Sequence, residues 1–236
     1  MIRALIIDDE QHAREELQVL LEASGEFELL PPCANAFDAI KVINQQQPQV
    51  LFLDIEMPVV NGFQLLSMID EERMPQVVFV TAYDEFALKA FEEKTLDYLL
   101  KPVETERLQQ TIIKLQASLQ QGTTPYYEMP LLQRIPCRCV RRIKLIDVDE
   151  VESIFSDTSG VHVHTAEGDN FTDLTLKVLE RRTSLFRCHK QYLVNLDQLD
   201  EILLQEGGTA KIRCHSGQSV PVSRRHLRQL KEQLGL

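Results

Sequence analysis

Four apolar residues, Val50-Leu51-Phe52-Leu53, run without interruption into Asp54, and Pro58 follows four positions later. An apolar run this short reads as a strand buried on both faces, as in a parallel sheet. Pro58 cannot extend a hydrogen-bonded ladder, so the strand ends near Asp54. In an open parallel α/β sheet, ligands gather at the edge formed by strand C-termini. Asp54 is therefore placed where chemistry is expected.

Other short apolar runs occur at Ala4–Ile7, Phe27–Leu30, Val77–Val80 and Leu96–Leu100. Helix-compatible stretches separate or follow them: Gln11–Glu22, Phe37–Gln46, Gly62–Glu72, Glu85–Glu92 and Glu104–Gln120. Such alternation predicts a doubly wound α/β domain with a five-stranded parallel sheet. Its strand ends carry Asp8-Asp9-Glu10, Asp54, Thr81-Ala82 and Lys101-Pro102. Parallel strands bring these ends to one edge, so carboxylates, a hydroxyl and an ammonium converge. Clustered carboxylates need a neutralising cation, and hard oxygen ligands with room for water suit Mg²⁺. A carboxylate can itself attack a phosphoryl group to give an acyl phosphate. Thr81 and Lys101 are suited to bind the transferred oxygens.

Ile6-Ile7-Asp8-Asp9-Glu10, Leu53-Asp54-Ile55-Glu56-Met57-Pro58-x-x-Asn61-Gly62, Thr81-Ala82 and Tyr98-Leu99-Leu100-Lys101-Pro102 stand in the order and spacing that resemble the receiver domain of two-component response regulators. That resemblance implies the flavodoxin-like fold, with Asp54 as phosphoacceptor. It also implies Asp9 as a direct Mg²⁺ ligand, Asp8 as a water-mediated one, and Glu56 as a ligand through its backbone carbonyl. Thr81, Lys101 and Tyr98 would then be the switch residues.

The break at Gln120-Gln121-Gly122-Thr123-Thr124-Pro125 reads as a linker. We expect domains at 1–120 and 133–236, joined by 121–132. Charge divides the same way: residues 1–122 hold 9 Lys/Arg against 21 Asp/Glu, and the remainder 16 against 15. Two domains with different partners follow. The five cysteines form no Cys-x-x-Cys pair and are expected to be reduced, buried thiols. The N-terminus runs directly into a strand without the apolar region of a signal peptide, so a cytoplasmic location is expected.

From Gln133 the pattern turns to short β-rich runs: Arg134–Val140, Ile143–Ile146, Val151–Phe155, Val161–Thr165, Leu193–Leu196, Ile202–Gln205, Ala210–Cys214 and Ser219–Val222. Turn residues at Thr158-Ser159-Gly160, Glu167-Gly168-Asp169-Asn170 and Glu206-Gly207-Gly208 separate several of them. A mainly antiparallel β domain is predicted, with helices at Thr175–Arg182 and Ser223–Leu234, the latter capped by Ser223. Basic clusters at Arg138–Arg142, Arg181-Arg182, Arg187–Lys190 and Arg224–Arg228 could form a phosphate-binding surface. His162-x-His164 faces one side of a strand, but no third metal ligand lies nearby.

Phe186-Arg187-Cys188-His189-Lys190-Gln191-Tyr192-Leu193-Val194-Asn195-Leu196 and Val220-Pro221-Val222-Ser223-Arg224-Arg225 resemble the LytTR DNA-binding domain. The resemblance implies loops entering successive major grooves, at Thr158-Ser159-Gly160, Lys190 and Arg225. Lysine or arginine can donate to guanine O6 and N7. Lys190 stands where the family more often has arginine, and lacks its planar fork. Arg224 and Arg228 suit phosphate contacts.

The whole pattern is that of a phosphorylation-regulated transcription factor, and resembles the pyruvate-responsive BtsR (YehT-like) subfamily. It implies a membrane sensor histidine kinase as donor, a transporter gene as target, homodimerisation on phosphorylation and double-stranded DNA carrying direct repeats. The pairing surface would comprise Glu85–Glu92, Leu96–Leu100 and Glu104–Leu119. Two other classes remain open at this point. The second domain could bind protein instead of DNA, or the first could be a metal-dependent phosphohydrolase. The second class is disfavoured by Glu56, where it would carry another aspartate.

Overall fold

The computed structural model describes residues 1–82, 95–122, 131–140, 142–205 and 208–236. The helix expected over Glu85–Glu92 and most of the expected linker lie outside them. The chain forms two compact units, Met1–Met129 and Pro130–Leu236. Among the described residues, no helix is long and apolar enough to cross a membrane.

In the first unit, β1 (Ile2–Ile7), β2 (Phe27–Leu29), β3 (Val50–Leu53), β4 (Gln76–Thr81) and β5 (Asp97–Leu100) form a sheet in the order β2-β1-β3-β4-β5. Every pairing is parallel. All residues of β3 and β4 are buried, which explains their continuous apolar character. Helices α1 (Gln11–Ser24), α2 (Ala36–Gln46), α3 (Gly62–Ser67) and α4 (Thr105–Gln121) complete the described part of the unit. Leu17 and Leu21 of α1 and Leu108, Ile112 and Leu115 of α4 join Ala4, Ile6, Phe52 and Val78 in one buried core cluster.

The third helix is shorter than its apolar content predicts. It ends at Ser67, and a 3₁₀ turn at Glu71–Arg73 follows. Asp70 causes the break locally, because its side chain accepts from Glu72 N–H and caps the new turn.

The second unit holds an antiparallel seven-stranded sheet in the order β11-β12-β8-β9-β10-β6-β7. Its strands are β6 (Arg134–Cys139), β7 (Arg142–Asp147), β8 (Val151–Asp157), β9 (Gly160–Thr165), β10 (Gly168–Thr172), β11 (Phe186–His189) and β12 (Tyr192–Val194). A second sheet pairs β13 (Leu199–Leu204), β14 (Ala210–Cys214) and β15 (Ser219–Val222). Helix α5 spans Leu176–Arg182 and α6 spans Arg224–Leu234. Leu230 of α6 packs with Ile212, Val220, Val222, Cys188 and Val194.

Two strands here have no counterpart in the apolar pattern. β10 occupies Gly168-Asp169-Asn170, whose composition predicts a turn, yet it pairs with β9 along five positions and with β6 on its other side. Sheet partners override local propensity. β11 hides in a motif rich in charge and includes a bulge between Arg187 and His189. All five cysteines are free, with four buried and Cys139 half-buried. Burial pushes the Cys137 and Cys188 thiols up to about 12.

Candidate functional site: an acidic cleft and a basic sheet end

β1 and β3 are neighbours with Ile7 opposite Leu53, so the chain leaves both strands at adjacent aspartates. Asp54 N–H donates to Ile7 O at 2.8 Å, fixing that juxtaposition. The carboxylates of Asp8, Asp9 and Asp54 lie within 4.8 Å of one another. Asp8 and Asp54 are buried, while Asp9 is exposed at the rim. On the next strands, Thr81 pairs with Leu100, and Lys101 N–H donates to Thr81 O at 2.9 Å. The Lys101–Pro102 peptide bond is cis.

The Lys101 ammonium sits 2.6 Å from Asp8 Oδ2 and 2.8 Å from Asp54 Oδ2. One cation thus bridges two buried carboxylates. Burial alone would lower the Lys101 pKa, but its bonds to Asp54 and Asp8 outweigh this and raise it. Burial raises the pKa of Asp8 despite Lys101 and the Glu10 N–H. Thr81 Oγ1 is buried and meets no hydrogen-bond partner. A buried hydroxyl without a partner is unfavourable. Thr81 precedes Ala82, which with Asp9, Asp54, Glu56, Met57 and Lys101 helps to line a cleft of about 380 Å³.

Three close hard oxygens beside open space fit Mg²⁺, which keeps several waters and takes few carboxylates. Glu56 is exposed, and its side chain stands outside the three-carboxylate cluster. Its N–H donates to Asp54 Oδ1 at 3.3 Å. Tyr98 lies on β5 opposite Phe79, half-buried.

In the second unit, the antiparallel order brings separate sequence segments to one sheet end. Tyr192 is opposite Phe155, so the turn at Lys190-Gln191 neighbours the end of β8. Gln191 O accepts from Ser156 N–H at 3.0 Å, and Gln191 Nε2 donates to Ser156 O at 3.2 Å. The 158–160 turn follows immediately. Ser223 N–H donates to Cys188 O at 3.0 Å, which puts the start of α6 against the same bulged strand. Lys190, Arg224 and Arg225 are exposed there, and burial first, then Arg225, Arg187 and His189 among others, lowers the His226 pKa. Arg228 is exposed one turn further along and pairs with Glu232 at 2.9 Å.

Not every predicted residue at this end is free to meet a ligand. Ser159 Oγ and N–H both donate to Asp157 Oδ1, at 2.6 and 2.8 Å, and Ser159 Oγ also bonds His162 Nε2 at 2.7 Å. Gly160 has φ +135°, and a Cβ there would meet the Phe171 ring at 2.4 Å. Thr158 is exposed at the tip. Ser223 corrects a simpler expectation: its hydroxyl does not cap α6 but bonds His226 Nδ1 at 2.7 Å. His162 stacks on Phe155, and His164 Nδ1 bonds Asp169 at 2.6 Å, so each imidazole has a structural partner.

Residues 4–113 match the response regulator receiver domain, and residues 141–235 match the LytTr DNA-binding domain. The chain is 52% identical over 235 residues to an uncharacterized response regulatory protein of Vibrio cholerae, covering 100% of this chain and 99% of that protein. It belongs to the LytTR response regulators. It is also 46% identical over 239 residues to the transcriptional regulatory protein BtsR of Escherichia coli, and 47% identical over 237 residues to an uncharacterized response regulatory protein of Yersinia pestis, with 100% of each chain covered in both cases. This LytTR response regulator is a transcription-regulating member of a two-component system.

The motifs leave without a role several residues that build the acidic cleft of this regulator. Gly62 closes the motif after Asp54, and a Cβ there would meet Asp54 O at 2.5 Å. Its absent side chain is what lets α3 start so close to the end of β3. Asn61 and Gln64 cap that helix reciprocally. Arg14 Nη1 donates to Asp8 O at 2.6 Å and anchors the first acid. Val59, between Pro58 and Asn61, has φ 72°, a conformation that β-branched residues rarely adopt. A side chain bonding a distant carbonyl leaves no periodic trace, so only the fold reveals Arg14.

Proposed function

We propose that Asp54 is the phosphoacceptor of this regulator, that Asp8, Asp9 and the Glu56 carbonyl hold Mg²⁺, and that phosphorylation drives homodimerisation on direct-repeat DNA. The observation that carries this reading is the Lys101 ammonium bridging Asp8 and Asp54 beside the unpartnered Thr81 hydroxyl. Asp54 Oδ attacks the phosphorus of a phosphohistidine on a membrane sensor histidine kinase. The O–P bond forms as the N–P bond breaks, the kinase imidazole leaves, and Asp54 becomes an acyl phosphate. Bound Mg²⁺ would neutralise the phosphoryl charge. Lys101 turns from the Asp54 carboxylate to an oxygen of the adduct, and Thr81 Oγ1 gains the partner it lacks. The phosphoryl adds charge and acceptor oxygens, so it biases the β4 and β5 ends between two arrangements. Tyr98, on the short strand that leads to Lys101, reports that choice to the pairing surface.

The receiver spans residues 1–120 and the DNA-binding domain 133–236, joined by 121–132. Lys190 and Arg225 read bases, and Arg224 and Arg228 bind phosphates. Thr158, at the tip of the 158–160 turn, approaches the duplex, with Ser159 and Gly160 setting the backbone of that turn. Two linked domains on two half-sites gain affinity through effective concentration, and spacing near whole helical turns keeps both on one face.

Acetyl phosphate with Mg²⁺ is expected to add one phosphoryl group to the wild-type chain by intact mass and to increase its DNA binding. Asp54→Asn should show neither effect. An equal adduct on Asp54→Asn would remove Asp54 from the mechanism.

A further inference from the structure

The Lys190-Gln191 turn joins β11 to β12 with His189 opposite Tyr192. Two-residue hairpin turns usually rely on positive φ angles, supplied by Gly, Asn or Asp. Neither Lys190 nor Gln191 is of that kind, and neither has positive φ. The turn is therefore held from outside. On one flank Gln191 is tied to Ser156 through backbone and side chain.

On the other flank stands Arg187. Its Nη2 donates to Lys190 O at 2.7 Å, reaching across the bulge. Its Nη1 lies 3.2 Å from Glu180 Oε2 on α5. Nη1 is buried and its N–H is not aimed at that oxygen, so the Glu180 contact is an ion pair, not a directed hydrogen bond. Arg187 is only 23% exposed, whereas Lys190 is exposed at the sheet end. One guanidinium thus spans a helix carboxylate and the carbonyl of the residue that faces DNA. Only a fork can do both at once.

We infer that Arg187 is a positioning residue that sets the aim of Lys190, with Glu180 holding its guanidinium in place and away from DNA phosphates. The role rests on the DNA-reading assignment above. An arginine in a basic cluster next to DNA would otherwise be taken for a phosphate contact, and the two roles respond differently to substitution. A phosphate contact serves every sequence, tolerates lysine and contributes to the salt dependence. A positioning residue serves only the sequence that Lys190 reads.

The test uses the full chain phosphorylated with acetyl phosphate, a duplex that it selects from a randomised pool, and a scrambled duplex of the same length. Arg187→Lys and Arg187→Gln are each expected to weaken binding to the selected duplex by roughly tenfold. Binding to the scrambled duplex and the salt slope should stay at wild-type values. In a Lys190→Ala background, Arg187→Gln should add less than about a twofold loss, because the residue that it aims is gone. Wild-type affinity in Arg187→Lys would overturn the role. So would equal losses on both duplexes with a salt slope reduced by about one, or additive losses in the double variant. Failure of the wild-type chain to select any sequence would remove the DNA-reading assignment itself, a result distinct from those three.

Discussion

The acidic cleft and the basic sheet end handle charge in opposite ways. In the cleft, the functional groups are one another's partners: Lys101 bridges Asp8 and Asp54, both buried. At the sheet end, Lys190, Arg224 and Arg225 are exposed and bond no other described side chain, while Arg187, Gln191, Asp157 and Ser223 hold the backbone beneath them. A buried charge held by buried partners is coupled to the fold. An exposed charge that must meet a polyanion is not. The first site should therefore lose or gain stability when its charges are altered, and the second should lose only binding.

The largest stability effect is expected at Asp97, on the strand that leads to Lys101. Arg107 Nη2 and Nη1 donate to its two oxygens at 2.6 and 2.8 Å, joined by Thr111 at 2.8 Å and Lys114 at 3.0 Å. Burial pushes the Asp97 pKa up, but these donors outweigh it and hold the carboxyl well below the usual range. Asp97→Asn should cost about 2 kcal/mol at pH 7, discounted because Arg107 and Lys114 are partly exposed. The contribution is complete above the unfolded carboxyl pKa of about 3.9 and is lost as pH falls through the lower folded value. Urea titrations of both proteins should give a constant difference from pH 7 to pH 5 that shrinks below pH 4. A difference that grows on acidification would contradict the pairing.

Asp8 should behave in the reverse sense. Its folded pKa is raised by burial, so the folded state holds more protons than the unfolded one as pH climbs through that range. Stability therefore falls with rising pH, and at pH 7 the ionised carboxylate opposes folding. Asp8→Asn keeps the oxygen that accepts Glu10 N–H, and Lys101 keeps Asp54. In metal-free buffer the variant should be the more stable of the two at pH 7, and the difference should shrink on acidification. Millimolar Mg²⁺ should raise the melting temperature of the wild type but not that of the variant. A destabilised Asp8→Asn without metal would show that the Lys101 bridge outweighs burial.

The two regions also differed in how far the residues alone disclosed them. Val50–Leu53 emerged as a strand because burial on both faces leaves an unbroken apolar run, and the strand ends carried their chemistry in sequence order. The parallel sheet then converted that order into a cleft with no further information. The second unit yielded less. β10 was masked by Gly168-Asp169-Asn170, because its strand character comes from pairing with β6 and β9. Arg187 was visible only as one member of a basic cluster, since its role depends on a carbonyl three residues away and a carboxylate on α5. Ser223 looked like a helix cap, and its bond to His226 depends on the orientation of a ring. Motifs report which groups do chemistry; the bonds that aim them are set by the fold.

The smallest stability effect, and the sharpest contrast with the cleft, is expected at Arg225. It is exposed at the first turn of α6, and its side chain makes no hydrogen bond or ion pair with the described residues. A cation at a helix N-terminus is slightly unfavourable to the helix dipole, so its removal leaves no unpaired partner behind and relieves a small repulsion. Arg225→Ala should thus change unfolding free energy by less than about 0.5 kcal/mol. Binding to a selected duplex should nevertheless fall by roughly ten- to a hundredfold, with relaxed preference at one base pair. Melting curves and DNA titrations on the same preparation decide the matter. A large stability loss would mean that Arg225 belongs to the fold, as Lys101 does, and unchanged DNA affinity would place the reading surface elsewhere on the second unit.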